Sequence, residues 1–142
     1  MPSALPMFEK IQRLEHFLLE LPQVETPVTH DFCEGLYSRT MFIPKGTVLT
    51  GAIHRSENFM FIRSGDITVW TEEGMKRVQG GFMTKSFEGA KRVGYAHEDT
   101  LLTTVHFNPT NETNPEELWN LFTVESLAQL DEDKLKNIEV ML

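Results

Sequence analysis

Apolar residues near the N-terminus follow the period of an α-helix. Over residues 6–21 they stand at positions 7, 11, 14, 18 and 21, and most charged residues fall between them. This spacing places the apolar side chains on one helical face, which a sheet or a second subunit must cover. Pro22 ends the predicted helix, and residues 23–27 form a linker to the rest of the chain.

From Val28 onward the pattern changes to the period of β-strands. Short runs of β-branched and aromatic residues are separated by turns that contain Gly or Pro. We predict strands over residues 28–32, 36–43, 47–53, 58–62, 67–71, 75–78, 82–85, 91–95 and 101–107, with residues 72–74 as a hairpin loop. Turns at this density indicate an antiparallel sandwich or barrel.

Helical spacing returns after the last predicted strand. Asn114 is a favourable N-cap, and Pro115 suits the first helical position. A second helical piece is predicted over residues 124–130, followed by a third helical turn or a frayed tail over residues 131–138. We therefore divide the single predicted domain into an N-terminal helix and linker (1–27), a barrel (28–110) and a C-terminal helical segment (111–142).

Composition and charge narrow the classes of function. The 142 residues carry a net charge of −8, and residues 111–142 account for −6 of it, with eight acidic residues and two lysines. An acidic chain does not neutralise phosphates, so we expect no nucleic-acid partner. No apolar run reaches the roughly 18–20 residues of a membrane span, and no signal peptide is apparent. The single Cys33 fits a reducing compartment, so we expect a cytoplasmic protein.

Residues 46–65 contain the pattern that bears most on function. Two predicted strands flank a polar bend, so that His54 and Asn58 come close together. The stretch is similar to the first motif of the cupin family, Gly-x5-His-x-His-x3–4-Glu-x6-Gly. Gly46, His54 and Gly65 match the motif, whereas Ala52 replaces the first histidine and Asn58 replaces the glutamate.

The second cupin motif, Gly-x5-Pro-x-Gly-x2-His-x3-Asn, is matched in spacing over residues 81–96. Gly81 and Gly89 are retained, and the other motif positions hold Phe87, Arg92 and Ala96. Arg92 therefore stands where the family places a metal-binding histidine. The two motifs together cover most of the strand-rich part of the chain.

A closer resemblance is to small single-domain cupin-like proteins encoded by tailed phages and prophages. It is carried by Phe42-Ile43-Pro44-x-Gly46, Thr50-Gly51-x-Ile53-His54-Arg55, Val69-x-Thr71-Glu72-Glu73-Gly74, residues 91–100 (KRVGYAHEDT) and Thr103-Thr104-Val105-His106. The resemblance implies a mainly β protein: an RmlC-like antiparallel jelly-roll barrel with an N-terminal helix and C-terminal helices. It also implies a homodimer and no assigned activity.

The substitutions in the motifs bear on the metal site that cupins usually carry. A working site needs at least three protein ligands and a vacant position. Of the residues at the matching positions, only His54 is a good ligand, so we expect no metal and no other cofactor. An alternative site could recruit His54, His97 and His106 with Glu57, if the fold brings them together.

A pocket without metal would instead suit an anion. Lys91 and Arg92 alternate along a predicted strand, and we expect Arg92 inside the barrel and Lys91 in solvent. A buried guanidinium needs a partner, which would be Glu57 or an anionic ligand. Tyr95 would then share the outward face of Lys91. The predicted ligand-binding residues are His54, Glu57, Asn58, Arg92, Tyr95 and His106.

These observations predict a phage-type accessory protein, acting in the host cytoplasm, that binds a small anionic ligand or a partner protein. One alternative is an enzyme, either a metal-free isomerase or epimerase with a histidine base and a tyrosine acid, or an atypical metal-dependent oxygenase. Another alternative is a virion or host-takeover interaction module that makes contacts through its acidic C-terminal segment. The sequence leaves open whether the protein is an enzyme.

Overall fold

The computed structural model describes residues 6–71 and 73–141. Its helices are α1 (Met7–Leu19), α2 (Pro115–Phe122) and α3 (Leu127–Met141). Its strands are β1 (Val28–Cys33), β2 (Leu36–Ile43), β3 (Val48–Thr50), β4 (Ile53–His54), β5 (Asn58–Ser64), β6 (Asp66–Thr71), β7 (Gly74–Gln79), β8 (Phe82–Ser86), β9 (Val93–Ala96), β10 (Thr100–Phe107) and β11 (Thr123–Val124). Within the described residues, none of these helices has the length and apolar character needed to cross a membrane. Glu72, in the predicted hairpin loop, lies outside the described residues.

Nine of the strands form two large antiparallel sheets that pack face to face. The five-stranded sheet has the order β1-β2-β10-β5-β8, and the four-stranded sheet has the order β3-β9-β6-β7. Both contribute to one apolar core, with Ile43 and Ile62 from the first sheet and Ile67, Val69 and Ala96 from the second. This arrangement is the antiparallel jelly roll with an N-terminal helix and C-terminal helices that the sequence predicts.

The predicted strand over residues 47–53 is divided in two. β3 pairs with β9, whereas β4 pairs with β11 in a small separate sheet. Between them, the Gly51 amide donates to the carbonyl of Arg92 at 2.8 Å, and the His54 amide donates to the carbonyl of Ala90 at 3.1 Å. The chain therefore leaves the four-stranded sheet at Gly51 while keeping its backbone hydrogen bonds, and it carries His54 to the end of the barrel near α2.

Helix α1 packs beside β3, and its contacts show that the predicted exposure of one side chain, Lys91, is wrong. Ile11 is buried, and Glu15 accepts hydrogen bonds from Lys91 at 2.9 Å and from Thr50 at 2.8 Å. Lys91 was expected in solvent, but its side chain is only 7% exposed. The reason is that α1 covers this outer surface and supplies a carboxylate for the ammonium group.

The C-terminal segment is part of the packed structure. Asn114 caps α2 as predicted, because its side chain accepts hydrogen bonds from the amides of Glu116 and Glu117. A second apolar cluster joins Ile53 to Val124 and Leu130. The division expected within residues 124–138 is wrong: residues 123–124 are the strand β11, and α3 runs unbroken from residue 127. Ion pairs of Asp133 with Arg55 and of Lys134 with Glu88 hold α3 on the barrel.

Candidate ligand-binding cavity

A cavity of about 340 Å³ lies between the two sheets, with α2 at one end. Alternate residues of β2 point into it because successive side chains of a strand face opposite sides. They run from Tyr37 and Arg39 to Met41 and Ile43, so one end of the cavity is polar and the other apolar. Leu118 and Phe122 of α2 close the polar end.

The strand register extends the polar end across the five-stranded sheet. Arg39 of β2 lies opposite His30 of β1 on one side and opposite Thr104 of β10 on the other. One step along the same strands, Tyr37 lies opposite His106. All these side chains line the cavity. Among them only His106 is a site residue predicted from the sequence, as a member of the alternative histidine set; all of them lie outside the two motifs.

The four motif positions come together in space. Ala52, His54 and Arg92 line the cavity, and Asn58 contacts His54 from behind, with its Nδ2 at 2.6 Å from His54 Nδ1. This hydrogen bond fixes the orientation of the imidazole ring, which lines the cavity.

This donor set does not fit the metal that the cupin fold implies. Arg92 brings a fixed positive charge to one ligand position, and Ala52 has no donor atom. The alternative metal site of His54, His97, His106 and Glu57 does not assemble either. Nε2 of His97 forms a hydrogen bond with Thr68 Oγ1 at 2.7 Å, and Glu57 forms an ion pair with Lys85 at 3.7 Å. Across residues 6–71 and 73–141, no group of three or more His, Cys, Asp or Glu side chains is placed to hold a metal ion.

Two of the predicted site residues lie away from the cavity. Tyr95 points to the outer side of β9, where its ring packs edge-on against His97 at a centroid distance of 4.9 Å. Its neighbour Gly94 faces inward instead, because residues alternate along the strand. Glu57 lies in the bend between β4 and β5, and its side chain is 61% exposed. Neither residue lines the cavity, and Glu57 is not the partner of Arg92.

Arg92 points into the barrel, as the strand alternation predicts. Burial lowers the pKa of its guanidinium to about 10, still well above neutral pH, so the group remains charged. One of its terminal nitrogens contacts the sulfur of Met60. Among the described residues, no carboxylate forms an ion pair with Arg92. The barrel thus contains a partly buried cation whose expected counterion is missing from its own walls.

Arg39 is a second guanidinium in the same cavity, and the sequence analysis missed it. It comes from the opposite sheet, and its central carbon lies 5.5 Å from the centre of the Trp119 ring. Burial is also the main cause that lowers the pKa of Arg39. The signal in the sequence is a charged residue at one of the alternating inward positions of β2, between Tyr37 and Met41.

Aromatic rings form the wall next to the guanidinium groups. The ring of His106 stacks on Phe122 at a centroid distance of 4.5 Å and on Tyr37 at 5.8 Å. The Tyr37 hydroxyl lies 2.6 Å from Nδ1 of His30. A flat or apolar ligand would therefore meet aromatic surface here, together with a phenol that can form hydrogen bonds.

The two imidazoles near the arginines are held neutral. Burial is the largest cause that lowers the pKa of His54 to about 3, and the charges of Arg92 and Arg39 and the neighbouring His106 add to it. Burial likewise lowers the pKa of His106 to about 4, with further contributions from Arg39 and Arg92. No Asp or Glu of the described chain lines the cavity. Its fixed charge is therefore that of two guanidinium groups.

Several solved structures share this fold at low sequence identity. A cupin 2 conserved barrel domain protein from Leptotrichia buccalis has a TM-score of 0.53 at 12% identity, covering 71% of this chain and 50% of that one. A double-stranded β-helix domain protein from Klebsiella pneumoniae has a TM-score of 0.53 at 9% identity, covering 65% and 80%. The DMSP lyase DddQ from Ruegeria pomeroyi has a TM-score of 0.51 at 15% identity, covering 63% and 49%.

The chain therefore has the cupin-type jelly-roll fold, and proteins of varied function share it. At these identities the likeness concerns the fold alone. This chain spans only about half the length of the Leptotrichia and Ruegeria proteins (50% and 49%). No family model matches the sequence, and no curated protein matches it.

Proposed function

We propose that the barrel binds a small organic anion, and that the protein is a phage-type accessory protein of the host cytoplasm that works without the usual cupin metal. The phage assignment rests on the sequence resemblance described above. The anion-binding proposal rests on one observation, the two guanidinium groups that face a cavity without acidic lining residues.

The energetics of buried charge support this proposal. A buried ion without a partner costs several kcal/mol, by order of magnitude, so an unpaired Arg92 works against the stability of the empty barrel. Carboxylates and phosphates accept two parallel hydrogen bonds from a guanidinium and would relieve that cost. Arg92 and Arg39 therefore provide polar anchors, while Met41, Leu102 and Val69 provide an apolar floor for the body of the ligand.

The test is a thermal-shift and calorimetric screen of carboxylates, phosphates and sugar nucleotides. We expect a subset to raise the melting temperature of the wild-type protein and to lose this effect in Arg92→Met. Arg63→Met is the matched control, because Arg63 is exposed on β5 and does not line the cavity. Hits that bind Arg92→Met and Arg39→Met as tightly as the wild type would place the anion elsewhere and refute the proposal.

A metal-free isomerase is a second candidate, because the cavity contains a neutral imidazole and a tyrosine. Tyr37 takes the place of Tyr95 in this hypothesis, since Tyr95 lies outside. Burial raises the pKa of Tyr37, so its phenol stays protonated, as an acid catalyst must before it donates. Exchange of a carbon-bound proton of a bound anion in D₂O would support an isomerase, and its absence in every hit would leave a binding protein.

We expect the protein to bind a partner protein as well as an anion, and we propose that this partner is a second copy of the same chain. The outer face of the five-stranded sheet carries five exposed apolar residues. Their exposed fractions are 43% for Leu36, 37% for Phe42, 48% for Phe59, 51% for Met83 and 72% for Phe107. Two chains of net charge −8 repel each other, so they should meet through an apolar face with few charges. The acidic C-terminal segment is less suited to binding a partner, because two of its residues, Leu118 and Phe122, already line the cavity.

Light scattering tests this dimer. We expect twice the 16.3 kDa chain mass for the wild type and a monomer for Phe59→Lys. Met75→Lys is the matched control, since Met75 is 66% exposed on β7 of the other sheet and should leave the dimer intact. A wild-type protein that stays monomeric at high concentration would rule out self-association.

A further inference from the structure

Resting on the proposed function, we propose that the ligand of the cavity is a dianion, a dicarboxylate or a phosphate monoester, bridging Arg39 and Arg92. These side chains come from opposite sheets. Arg39 extends from the middle of β2 in the five-stranded sheet, and Arg92 stands directly before β9 in the four-stranded sheet. A ligand in the space between the sheets therefore meets one guanidinium on each wall.

The two guanidinium groups act on the same small volume. The rings of His54 and His106 lie at a centroid distance of 6.5 Å, edge to face. The charges of both arginines contribute to the lowered pKa of each ring, so both guanidinium groups lie within electrostatic reach of this pair of rings. The imidazoles and the arginines thus surround one site rather than two separate ones.

The charged groups at this site determine how much negative charge a ligand needs in order to neutralise them. The two guanidinium groups are fixed cations, His54 and His106 are neutral at physiological pH, and no carboxylate of the described chain lines the cavity. A monoanion would neutralise one guanidinium and leave the other, which is partly buried, without an anionic partner. A ligand with two negative charges neutralises both.

The size of the cavity and its neutral groups limit the ligand further. At about 30 Å³ for each water-sized group, a volume of about 340 Å³ holds about eleven non-hydrogen groups. The imidazole of His54 and the hydroxyl of Thr104 are neutral polar groups that can complete the hydrogen bonding of an anionic head. The apolar floor favours a short hydrocarbon body or one aromatic ring rather than a nucleotide.

The experiment compares dianions with monoanions of the same shape. At pH 7.5, calorimetry would measure succinate against succinamate, and phenyl phosphate against phenyl sulfate. In at least one pair, we expect the dianion to bind the wild-type protein about tenfold more tightly or better, since the second charge gains its own guanidinium. The pair that shows the larger preference distinguishes a dicarboxylate from a phosphate monoester.

Single substitutions provide a second measurement. Arg39→Met and Arg92→Met should each reduce the preference for the dianion to about twofold or less, because each leaves one guanidinium in the cavity. The comparison within the wild-type protein holds even if a variant does not fold. If monoanions bind as tightly as their dianionic partners, the dianion inference is wrong and the proposed function stands. If no anion binds, the proposed function itself fails.

Discussion

The ammonium group of Lys91 lies 2.8 Å from the carboxylate of Glu15, although 76 positions separate the two residues in the chain. The contact joins α1 to the segment that carries Arg92. Burial alone would raise the pKa of Glu15, but hydrogen bonds from Lys91 and Thr50 outweigh it and lower that pKa. The Glu15 carboxylate therefore remains ionised, and its contact with Lys91 holds the N-terminal helix on the barrel beside the wall of the cavity.

Removing the acid of this pair should destabilise the protein. Glu15→Ala would leave the buried Lys91 without a partner. Because Glu15 is 30% exposed and solvent screens part of the interaction, we expect a loss of about 2 kcal/mol in the free energy of unfolding, measured in urea. The double variant Glu15→Ala/Lys91→Met should recover most of it, since no buried charge remains. A single variant as stable as the wild type would show that the pair contributes nothing.

Replacing Arg92 should have the opposite effect on stability. Arg92→Met removes a partly buried charge without an ion-pair partner and keeps an unbranched side chain, so we expect the free energy of unfolding without ligand to rise by about 1 kcal/mol. Stability would then be gained as ligand binding is lost.

Arg77→Met provides the contrast for this prediction. Arg77 donates two hydrogen bonds to Asp66, both at 2.9 Å, so its loss leaves a carboxylate without its partner and should lower the melting temperature. If Arg92→Met lowers stability as well, Arg92 has a structural partner that the ion pairs of the fold do not reveal.

The buried histidines predict a decline of stability in mild acid. The pKa values of His54 and His106 fall from 6.5 to about 3 and about 4 on folding, so the unfolded chain takes up these protons first. Stability should therefore be full above pH 6.5 and fall as the pH drops from about 6.5 toward 4. The slope would reach up to about 1.4 kcal/mol per pH unit for each histidine.

Urea unfolding between pH 8 and pH 4.5 would measure this slope. His54→Gln and His106→Gln should each reduce it, because each removes one group that the unfolded state protonates. Above pH 7 both imidazoles are neutral in the folded and the unfolded chain, so the variants should then show the same slope as the wild type. Equal slopes below pH 6 would contradict the assignment.

Gly65 should tolerate no side chain. It has φ +104°, and a Cβ built there would lie 2.5 Å from the carbonyl oxygen of Asp99 and 2.6 Å from Thr100 Cα. Since both neighbours are backbone atoms, Gly65→Ala should cost at least about 3 kcal/mol in the free energy of unfolding.

The variant Gly74→Ala separates the effect of steric crowding from the effect of backbone strain. Gly74 has φ +117°, but a Cβ there would have no neighbour within 4 Å among the residues that the structure describes, so Gly74→Ala should cost only about 1–2 kcal/mol. Comparable losses in the two variants, measured by urea unfolding, would mean that strain alone accounts for the effect at Gly65.

The sequence alone determined the elements and the cavity positions whose causes are local. The apolar stripe of α1, the β2 strand and the Asn114 cap all depend on residues within a few positions of one another. Strand alternation indicated that Lys91 and Arg92 face opposite sides, and the preferred choice of Arg92 for the inside agrees with its position in the cavity wall. Motif spacing was sufficient to bring His54 and Asn58 together.

Only the tertiary structure decided what surrounds Arg92. Arg39 joins the cavity wall through the pairing of β2 with β10, and it comes from a strand outside the two motifs. Lys91 is buried because a distant helix supplies Glu15. Periodicity reports which residues of one strand share a face, but the counterion and the opposite wall come from other strands and helices. Burial, pKa and charge balance depend on those long-range contacts, so they followed only from the folded chain.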